Sequence, residues 1–447
     1  MEELGSTLSL AYCIPFAGML LSIAICPLIN GEWWDKFKGA AVAFWSLLFL
    51  VPFAIGNGFG TALNHLLEVF LGDYISFIVL LFGLFCVSGN ICVTGRLSGS
   101  PKSNTIYLFI GTLLSSCIGT TGASMLLIRR LIRANNWRKH KVQTIVFFIF
   151  LVSNIGGCLT PVGDPPLLMG FMHGVPFTWS LNLFIVFILN TAILLTLYFI
   201  IDTRAYKKDI EEGLKPQHVK PKPLGIAGSH NFIFLILIVG AVILSGSLGQ
   251  INEGFADGIR IDGEVVLSYA TIIEMTIILI AAILSYKSTH KSVRSANNFS
   301  WSAIEEVAVL FVGIFITMIP ALLILSARGS ELGITENWQM FWATGTLSSF
   351  LDNTPTYLVF FETAISLHET TDLVSSTVQI TNSMLMAISC GAVFMGANTY
   401  IGNAPNFMVK SIAEENGIKM PSFFGYMAWS ICCLIPVFLI DTIIFFI

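Results

Sequence analysis

Two aspartates lie inside long apolar stretches of the sequence, where a charge is energetically costly. Asp164 belongs to segment 160–166, and Asp352 belongs to segment 351–355. A carboxylate buried in a membrane usually faces a cavity and pairs with another group. Because a carboxylate can hold either a proton or a cation, the two residues indicate exchange or coupling of these ions. The alternative interpretation is that each aspartate only caps the N-terminus of a helix.

Small side chains that carry an oxygen cluster near the two aspartates. Hydroxyl groups, amide oxygens and carbonyls freed by a helix break suit a hard cation such as Na⁺. The candidates are Thr120, Thr121, Ser124, Asn154 and Thr160 in the first half, and Asn353, Thr354, Asn398, Thr399, Asn403 and Asn406 in the second. The alternative is that they only satisfy backbone groups at the breaks. The predicted ligands of sodium itself are Thr121, Asn154, Asp164, Asp352, Asn353 and Asn398.

Asp164 lies in a segment that interrupts an otherwise membrane-spanning run. Segment 153–166 contains two adjacent glycines and three prolines, which loosen a helix and remove backbone donors. The freed backbone groups find no water in lipid, so the break must face a protein interior, a cavity or an ion. The segment is therefore predicted to be a discontinuous helix; the alternative is a helix followed by an extracellular loop.

The break has a counterpart in the second half of the chain. Thr, Gly and Pro recur at the same offsets in 160–166 and 399–405, with Asn403 in the place of the aspartate. Upstream, segments 111–122 and 345–355 also match each other. Paired Gly- and Pro-interrupted segments in corresponding positions indicate the binding site of a secondary transporter.

The composition places the chain in a membrane. Of its 447 residues, 55% are hydrophobic and only 11% are charged, which is about half the charged fraction of soluble proteins. The nine cysteines are scattered without a Cys-x-x-Cys pair, and no Gly-x-x-x-x-Gly-Lys-Ser/Thr segment occurs. The sequence therefore argues against an ATP-driven pump, and we expect no catalytic residues, no resident cofactor and no nucleic-acid partner.

The apolar runs predict which segments cross the bilayer. Two interrupted pairs of short runs, at 105–134 and 337–366, are predicted to be re-entrant hairpins. The runs at 144–174 and 382–415 are the two broken helices. Further spans are predicted at about 8–29, 39–56, 74–93, 177–201, 231–249, 265–286, 301–326 and 421–447.

These predictions describe an all-α polytopic membrane protein with two inverted-topology repeats. Residues 1–215 form the first repeat, 216–230 a cytoplasmic linker and 231–447 the second repeat. Each repeat has about five transmembrane helices plus one re-entrant helical hairpin, with discontinuous helices at the midplane. Lys and Arg concentrate in the linker and after the first hairpin, which predicts a cytoplasmic location for both and places both termini outside.

At these motifs the chain resembles the ion transporter superfamily, which includes sodium/proton antiporters of the NhaD type, citrate and dicarboxylate carriers, and arsenite permeases. Segment 153–167 is similar to the antiporter signature, and segment 351–355 is similar to the second hairpin tip of the superfamily. The resemblance covers essentially the whole chain. It implies the inverted repeat, both hairpins, an elevator-like movement of a transport domain against a scaffold domain, and a homodimer.

One departure from the superfamily bears on the substrate. Its carboxylate carriers have Ser-Asn-Thr at both hairpin tips, whereas the tips here are Gly119-Thr120-Thr121 and Asp352-Asn353-Thr354. An acid beside a tip repels a carboxylate substrate unless a bound cation neutralises the acid. We therefore predict exchange of Na⁺ for H⁺ by alternating access through Asp164 and Asp352.

The alternative function is uptake of citrate or another small carboxylate with Na⁺ or H⁺. Half-helix N-termini and hydroxyl groups can hold a carboxylate without an arginine. Under either function the expected partners are the lipid bilayer, Na⁺ and H⁺, and the expected location is a bacterial plasma (inner) membrane.

Overall fold

The architecture is that of an all-α polytopic membrane protein, as predicted. In the computed structural model, 78% of the chain is helical. The structure describes residues 2–95, 97–214, 225–251, 253–255, 257–262, 265–297, 299–368, 371–375 and 378–447. Within these ranges eight helical segments are long and apolar enough to cross a bilayer. The chain is therefore an integral, multi-pass membrane protein.

The described residues of the first half of the chain form ten α-helices and one short strand, β1 (Cys92–Thr94). Its helices are α1 (Glu2–Thr7), α2 (Ile14–Ile29), α3 (Gly31–Asn57), α4 (Phe59–Leu67), α5 (Ile75–Gly89), α6 (Pro101–Ile118), α7 (Thr120–Ala134), α8 (Val142–Leu151), α9 (Pro165–Met172) and α10 (Phe184–Glu211). A π-helical segment, Glu68–Tyr74, joins α4 to α5.

In the second half, the part of the chain that the structure describes forms ten α-helices and three short strands. The strands are β2 (Gly225–Ala227), β3 (Gly258–Asp262) and β4 (Val265–Ser268). The helices are α11 (Asn231–Ile251), α12 (Tyr269–Ser288), α13 (Lys291–Ala296), α14 (Ser302–Arg328), α15 (Asn337–Ser348), α16 (Asn353–Ile365), α17 (Asn382–Met395), α18 (Ala404–Glu415), α19 (Phe423–Cys433) and α20 (Ile435–Asp441).

Eight of the ten predicted spans coincide with helical segments of spanning length. The other two are α11, whose described apolar part is the shorter Asn231–Gly246, and the second broken helix. The third span differs most from its prediction of 74–93, because helix is continuous over Phe59–Gly89. The predicted span leaves out His65 and Glu68, yet both lie in this helix. They are about one turn apart, and their side chains are 3.3 Å from each other.

Two small antiparallel sheets, absent from the predicted fold, lie between helices. Strand β1 pairs with β2, and β3 pairs with β4 in the acid-rich loop that precedes α12. The pairing of β1 with β2 connects the end of the third span to the end of the predicted linker. Residues 216–224 of that linker lie outside the described residues.

The first of the two predicted hairpins is a pair of helices that meet at one glycine. Helices α6 and α7 pack on each other, and Gly119 between them has φ +80°, a conformation that favours glycine. In the second pair, α15 and α16 are separated by residues 349–352. None of these four helices is among the spanning segments of the described chain. How deeply the two tips lie in the bilayer stays a prediction.

Helices from the two halves interleave. Helix α14 packs against α2 and α3, and α5 packs against α11 and α12. The broken helices and the helix pairs form a second group, in which α7 contacts α18 and α9 contacts α16. The groups touch where α5 meets α7 and where α14 meets α16.

The first broken helix lies in the protein interior. In the window Val142–Leu159, 89% of the residues are buried, against 22% for the window in Gly31–Asn57. The freed backbone groups of the break are therefore shielded from lipid, as a discontinuous membrane helix requires.

Candidate functional site

Both breaks have the same local construction. A helix ends, a short 3₁₀ segment follows, and a second helix starts with proline in its first turn: Ile155–Leu159 precedes α9, and Gly396–Asn398 precedes α18. Proline suits the first turn of a helix because its missing N–H is not needed there. The duplicated sequence pattern therefore produces a duplicated backbone pattern.

Hydroxyl groups satisfy backbone carbonyls of the breaks and of the neighbouring ends of α6 and α15. Thr160 Oγ1 donates to the Ser116 carbonyl, and in the matching position Thr399 Oγ1 donates to the Ser349 carbonyl. Ser349 in turn donates to the Met395 carbonyl, as Ser116 does to that of Gly156. For Thr160 and Thr399 the structure therefore provides the backbone-satisfying role that the sequence left open. The two serines were not candidates, although the aligned segments 111–122 and 345–355 contain both.

A glycine in each break permits a very close backbone approach. A Cβ atom added to Gly163 would lie 2.2 Å from the carbonyl oxygen of Gly157, and one added to Gly402 would lie 2.6 Å from that of Gly396. The Gly163 carbonyl also accepts a hydrogen bond from the Thr120 N–H at 2.9 Å. The two glycines of the first break thus allow its backbone to fold closely on itself, and the Gly163 carbonyl attaches the break to the first hairpin tip.

We predict that Gly163→Ala strongly destabilises the protein. The clashing atoms are backbone, so the methyl group forces the break apart, and overpacking a tight site costs about 1–3 kcal/mol or more. Gly240→Ala is the matched control, because a Cβ at Gly240 meets nothing within 4 Å. The midpoint of thermal unfolding of the detergent-solubilised protein should fall for the first variant and stay level for the second. Equal midpoints would contradict the tight-turn interpretation.

Asp164 occupies the centre of the site. It is 1% exposed and sits at the N-cap position of α9, yet its side chain makes no capping hydrogen bond there. Its carboxylate instead accepts from Thr120 Oγ1 at 2.8 Å, from Asn353 Nδ2 at 2.6 Å and from Asn403 Nδ2 at 3.3 Å. One residue therefore joins the first hairpin tip, the second hairpin tip and the second break.

An amide cluster extends from this centre to the other side of the breaks. Asn403 Nδ2 also lies 3.2 Å from both the Ser153 carbonyl and Asn154 Oδ1. Asn154 Nδ2 donates to Asn406 Oδ1 at 2.7 Å, and Asn406 Nδ2 donates to the carbonyls of Gly396 and Thr399. Asn154 is therefore one amide away from Asp164, although their backbones belong to opposite ends of the first break.

Four helices start at the Asp164 carboxylate. Thr120 and Asn353 are the first residues of α7 and α16, while Asp164 and Asn403 immediately precede α9 and α18. Each helix N-terminus carries a partial charge of roughly +0.5. Together the four termini offset roughly two negative charges, which is the combined charge of Asp164 and of Asp352, the cap of α16. A further anion at the centre therefore requires a cation or a proton on one of these acids.

The remaining candidates lie around the centre rather than in it. Asp352 caps α16 by accepting from the Thr354 N–H at 3.1 Å, and Thr354 Oγ1 lies 3.5 Å from Asn353 Oδ1. Ser124 pairs with Ser153 at 2.8 Å, and Thr121 follows Thr120 in a half-buried position. Asn398 Nδ2 donates to Ser349 Oγ at 2.9 Å.

The proposed sodium ligands do not all meet. Asp164 and Asn353 are in direct contact, and Asn154 follows through Asn403. Asn398 binds instead to the end of the second hairpin's first helix. Within the described part of the chain, no three His, Cys, Asp or Glu side chains are grouped as a metal site. The Asp164 carboxylate and the Thr120 hydroxyl are oxygen ligands that suit a hard cation rather than a thiolate- or imidazole-bound metal. Asn353 and Asn403 turn their NH₂ groups toward Asp164, so each amide would have to rotate to offer its oxygen.

Comparison with known families agrees with this geometry. Residues 5–446 match the model of a family described as "Putative citrate transport". No curated protein matches the chain. The match confirms the resemblance to the citrate carriers of the superfamily and is consistent with a transporter, and it gives no support to the antiporter branch.

Proposed function

Because the chain belongs to this citrate transport family, we propose that it is a secondary transporter that carries citrate or another small carboxylate together with Na⁺ or H⁺. Exchange of Na⁺ for H⁺, the function first predicted from the embedded aspartates, becomes the second candidate.

The convergence of four helix N-termini on one buried centre carries the proposal. Helix N-termini present unpaired N–H groups and a positive dipole end, and they bind carboxylates without a cationic side chain. Thr120 and Asn353 add a hydroxyl and an amide at the tips of the two helix pairs, both within 2.8 Å of the Asp164 carboxylate. A carboxylate of the substrate would approach these same groups.

Asp164 supplies the coupling in this proposal. An ionised Asp164 competes with an anionic substrate for the same donors and repels it. A proton or Na⁺ on Asp164 removes that repulsion, so cation binding and substrate binding favour each other. Two ligands that favour each other's binding in one moving site are carried in the same direction, which is co-transport.

We further propose an elevator-like movement of a transport domain against a scaffold domain. We assign the two helix pairs and the two broken helices to a transport domain, and α2–α5 with α11–α14 to a scaffold domain. In this proposal the two halves of the chain are inverted repeats, and the two helix pairs are re-entrant hairpins. The packing supports this division, because contacts between the two groups are concentrated where α5 meets α7 and α14 meets α16. We also propose that the protein is a homodimer in a bacterial inner membrane, with both termini outside.

One observation favours the second candidate. Asp164 is buried, and it holds no partner with a positive side chain among the described ion pairs, so it can exchange one cation for another. The second acid, however, is used as a helix cap: the Asp352 carboxylate accepts the Thr354 N–H. Exchange through two equivalent aspartates is therefore less well supported than a single coupling carboxylate.

Proteoliposomes that contain the purified chain distinguish the two functions. Labelled citrate should accumulate under an inward Na⁺ or proton gradient, and empty vesicles give the background. Without citrate, a Na⁺ gradient should leave the pH of an entrapped dye unchanged. Proton movement driven by Na⁺ alone, with citrate uptake at background, would replace co-transport by exchange.

A further inference from the structure

A third membrane-embedded aspartate lies outside the site described above. Asp441 ends α20 and is fully buried. The Nδ2 atom of Asn190, on α10, lies 2.9 Å from each of its two carboxylate oxygens. Within the described residues no Lys, Arg or His forms an ion pair with Asp441. A buried carboxylate with no opposite charge is costly as an anion.

The hydrogen bonds of this pair leave the carboxylate poorly compensated. An amide nitrogen has two hydrogens, and Asn190 Nδ2 also donates to the Val186 carbonyl at 2.9 Å. One N–H therefore serves both carboxylate oxygens. The Oδ1 atom of the same Asn190 amide is buried and makes no hydrogen bond to any described residue.

A proton would satisfy these groups. A protonated Asp441 gains one O–H donor, and the unpartnered Oδ1 atom of Asn190 is an acceptor for it. An acid and an amide can exchange two hydrogen bonds, with O–H donating to the amide oxygen and N–H donating to the acid carbonyl. This requires only rotation of the Asn190 amide. A sodium ion, in contrast, would have to displace the amide N–H that lies against both carboxylate oxygens.

We propose that Asp441 and Asn190 form a proton-binding pair, distinct from the Asp164 centre, in which Asp441 takes up a proton from water and releases it again. The second half of the proposal, which rests on the proposed function, is that this proton is one of the coupling ions. Its position suits that role. The residue after Asp441, Thr442, accepts a hydrogen bond from Trp342 Nε1 of α15 at 3.0 Å, so the pair is attached to the second hairpin.

Few titratable groups surround the pair. The Cys390 thiol of α17 lies close enough to Asp441 to interact with it electrostatically. The titratable residues of α10 begin at Tyr198, about two turns beyond Asn190. Helix α19 contributes Tyr426, Cys432 and Cys433. The described neighbours are thus thiols and phenols, which stay neutral at the pH at which carboxyl groups titrate.

Infrared difference spectroscopy of the purified full chain tests proton binding without any transport. Raising the pH should remove a protonated-carboxyl band that Asp441→Asn lacks. Asn190→Ala removes both the N–H that contacts the carboxylate and, on our proposal, the amide oxygen that accepts from the protonated acid, so the pH at which the band disappears should shift away from the wild-type value. Asp257→Asn, in an exposed loop, is the control and should keep the wild-type titration. Identical titrations in all variants would overturn the proton site.

Transport by the same variants tests the coupling role. In proteoliposomes, the number of protons moved per labelled citrate should fall in Asp441→Asn, while exchange of internal for external citrate continues. An unchanged ratio would overturn the coupling role. If the wild type moves no citrate, the proposed function fails, and the infrared titration still decides whether Asp441 binds a proton. Should Asp441→Asn fail to fold, the shift in Asn190→Ala decides alone.

Discussion

Asp164→Asn is expected to reduce cation-driven citrate uptake to the background of empty vesicles while the protein remains folded. The charge that binds the coupling cation is lost. The new amide also has a single acceptor oxygen for the three donors of Thr120, Asn353 and Asn403, and its own NH₂ group faces one of them. The fold should survive, because the matching position of the second break already holds an asparagine, Asn403.

Two further variants separate charge from position. Asp352→Asn keeps a side chain that can cap α16, so it tests the charge at the second tip without removing the cap, and we expect a smaller loss of uptake. Asp257→Asn changes an exposed loop and should leave uptake unchanged. Uptake at the wild-type level in Asp164→Asn would assign that residue a purely structural role and remove the basis of the coupling scheme.

The sequence reveals the position of the breaks because their cause is local. Adjacent glycines and prolines interrupt a helix wherever they occur, so segment 153–166 and its counterpart could be placed within a few residues. The second broken helix, predicted at 382–415, is found as Asn382–Met395 and Ala404–Glu415. The spans follow from apolar run length for the same reason.

The contacts within the site could not be predicted, because they join distant segments. No local pattern indicates that Asn353 donates to Asp164 across 189 residues, or that Thr160 binds a backbone carbonyl instead of facing a ligand. Side-chain capping was an open alternative for both aspartates, and only Asp352 uses it. The role of each side-chain oxygen depends on which groups lie next to it in the folded protein, and tertiary packing decides that.

The positive-inside pattern predicts the side of the membrane on which a loop lies, but not the contacts of each basic residue in that loop. Arg138 counts as one of the basic residues that follow the first hairpin, which suggests a solvated loop charge. Its side chain is instead fully buried between two buried aspartates of α10, 2.8 Å from Asp202 and 3.1 Å from Asp209. Gln143 and Asn104 donate further hydrogen bonds to Asp202. Counting Lys and Arg in a loop does not show whether each side chain is solvated or forms a buried ion pair that joins two parts of the chain.

Arg138→Met is therefore expected to destabilise the protein by about 3–5 kcal/mol, the usual cost of removing one partner from a buried ion pair. Asp202 and Asp209 would remain buried without their shared cation, and the loop before α8 would be hydrogen-bonded to α10 only through the bonds of Lys139 and His140 to Asp209. Lys139→Met is the matched control, because the neighbouring pair of Lys139 with Glu212 is exposed to solvent, and it should change little. Thermal unfolding of the purified variants measures both effects.

A rescue experiment makes this prediction specific to charge. Adding Asp202→Asn and Asp209→Asn to Arg138→Met removes the unpaired anions, so the triple variant should recover part of the lost stability even though it has fewer hydrogen bonds. The recovery should be absent when Lys139→Met is combined with the same two changes, since Arg138 would then be the unpaired buried charge. A triple variant less stable than Arg138→Met alone would show that hydrogen bonding, rather than charge compensation, holds the loop to α10.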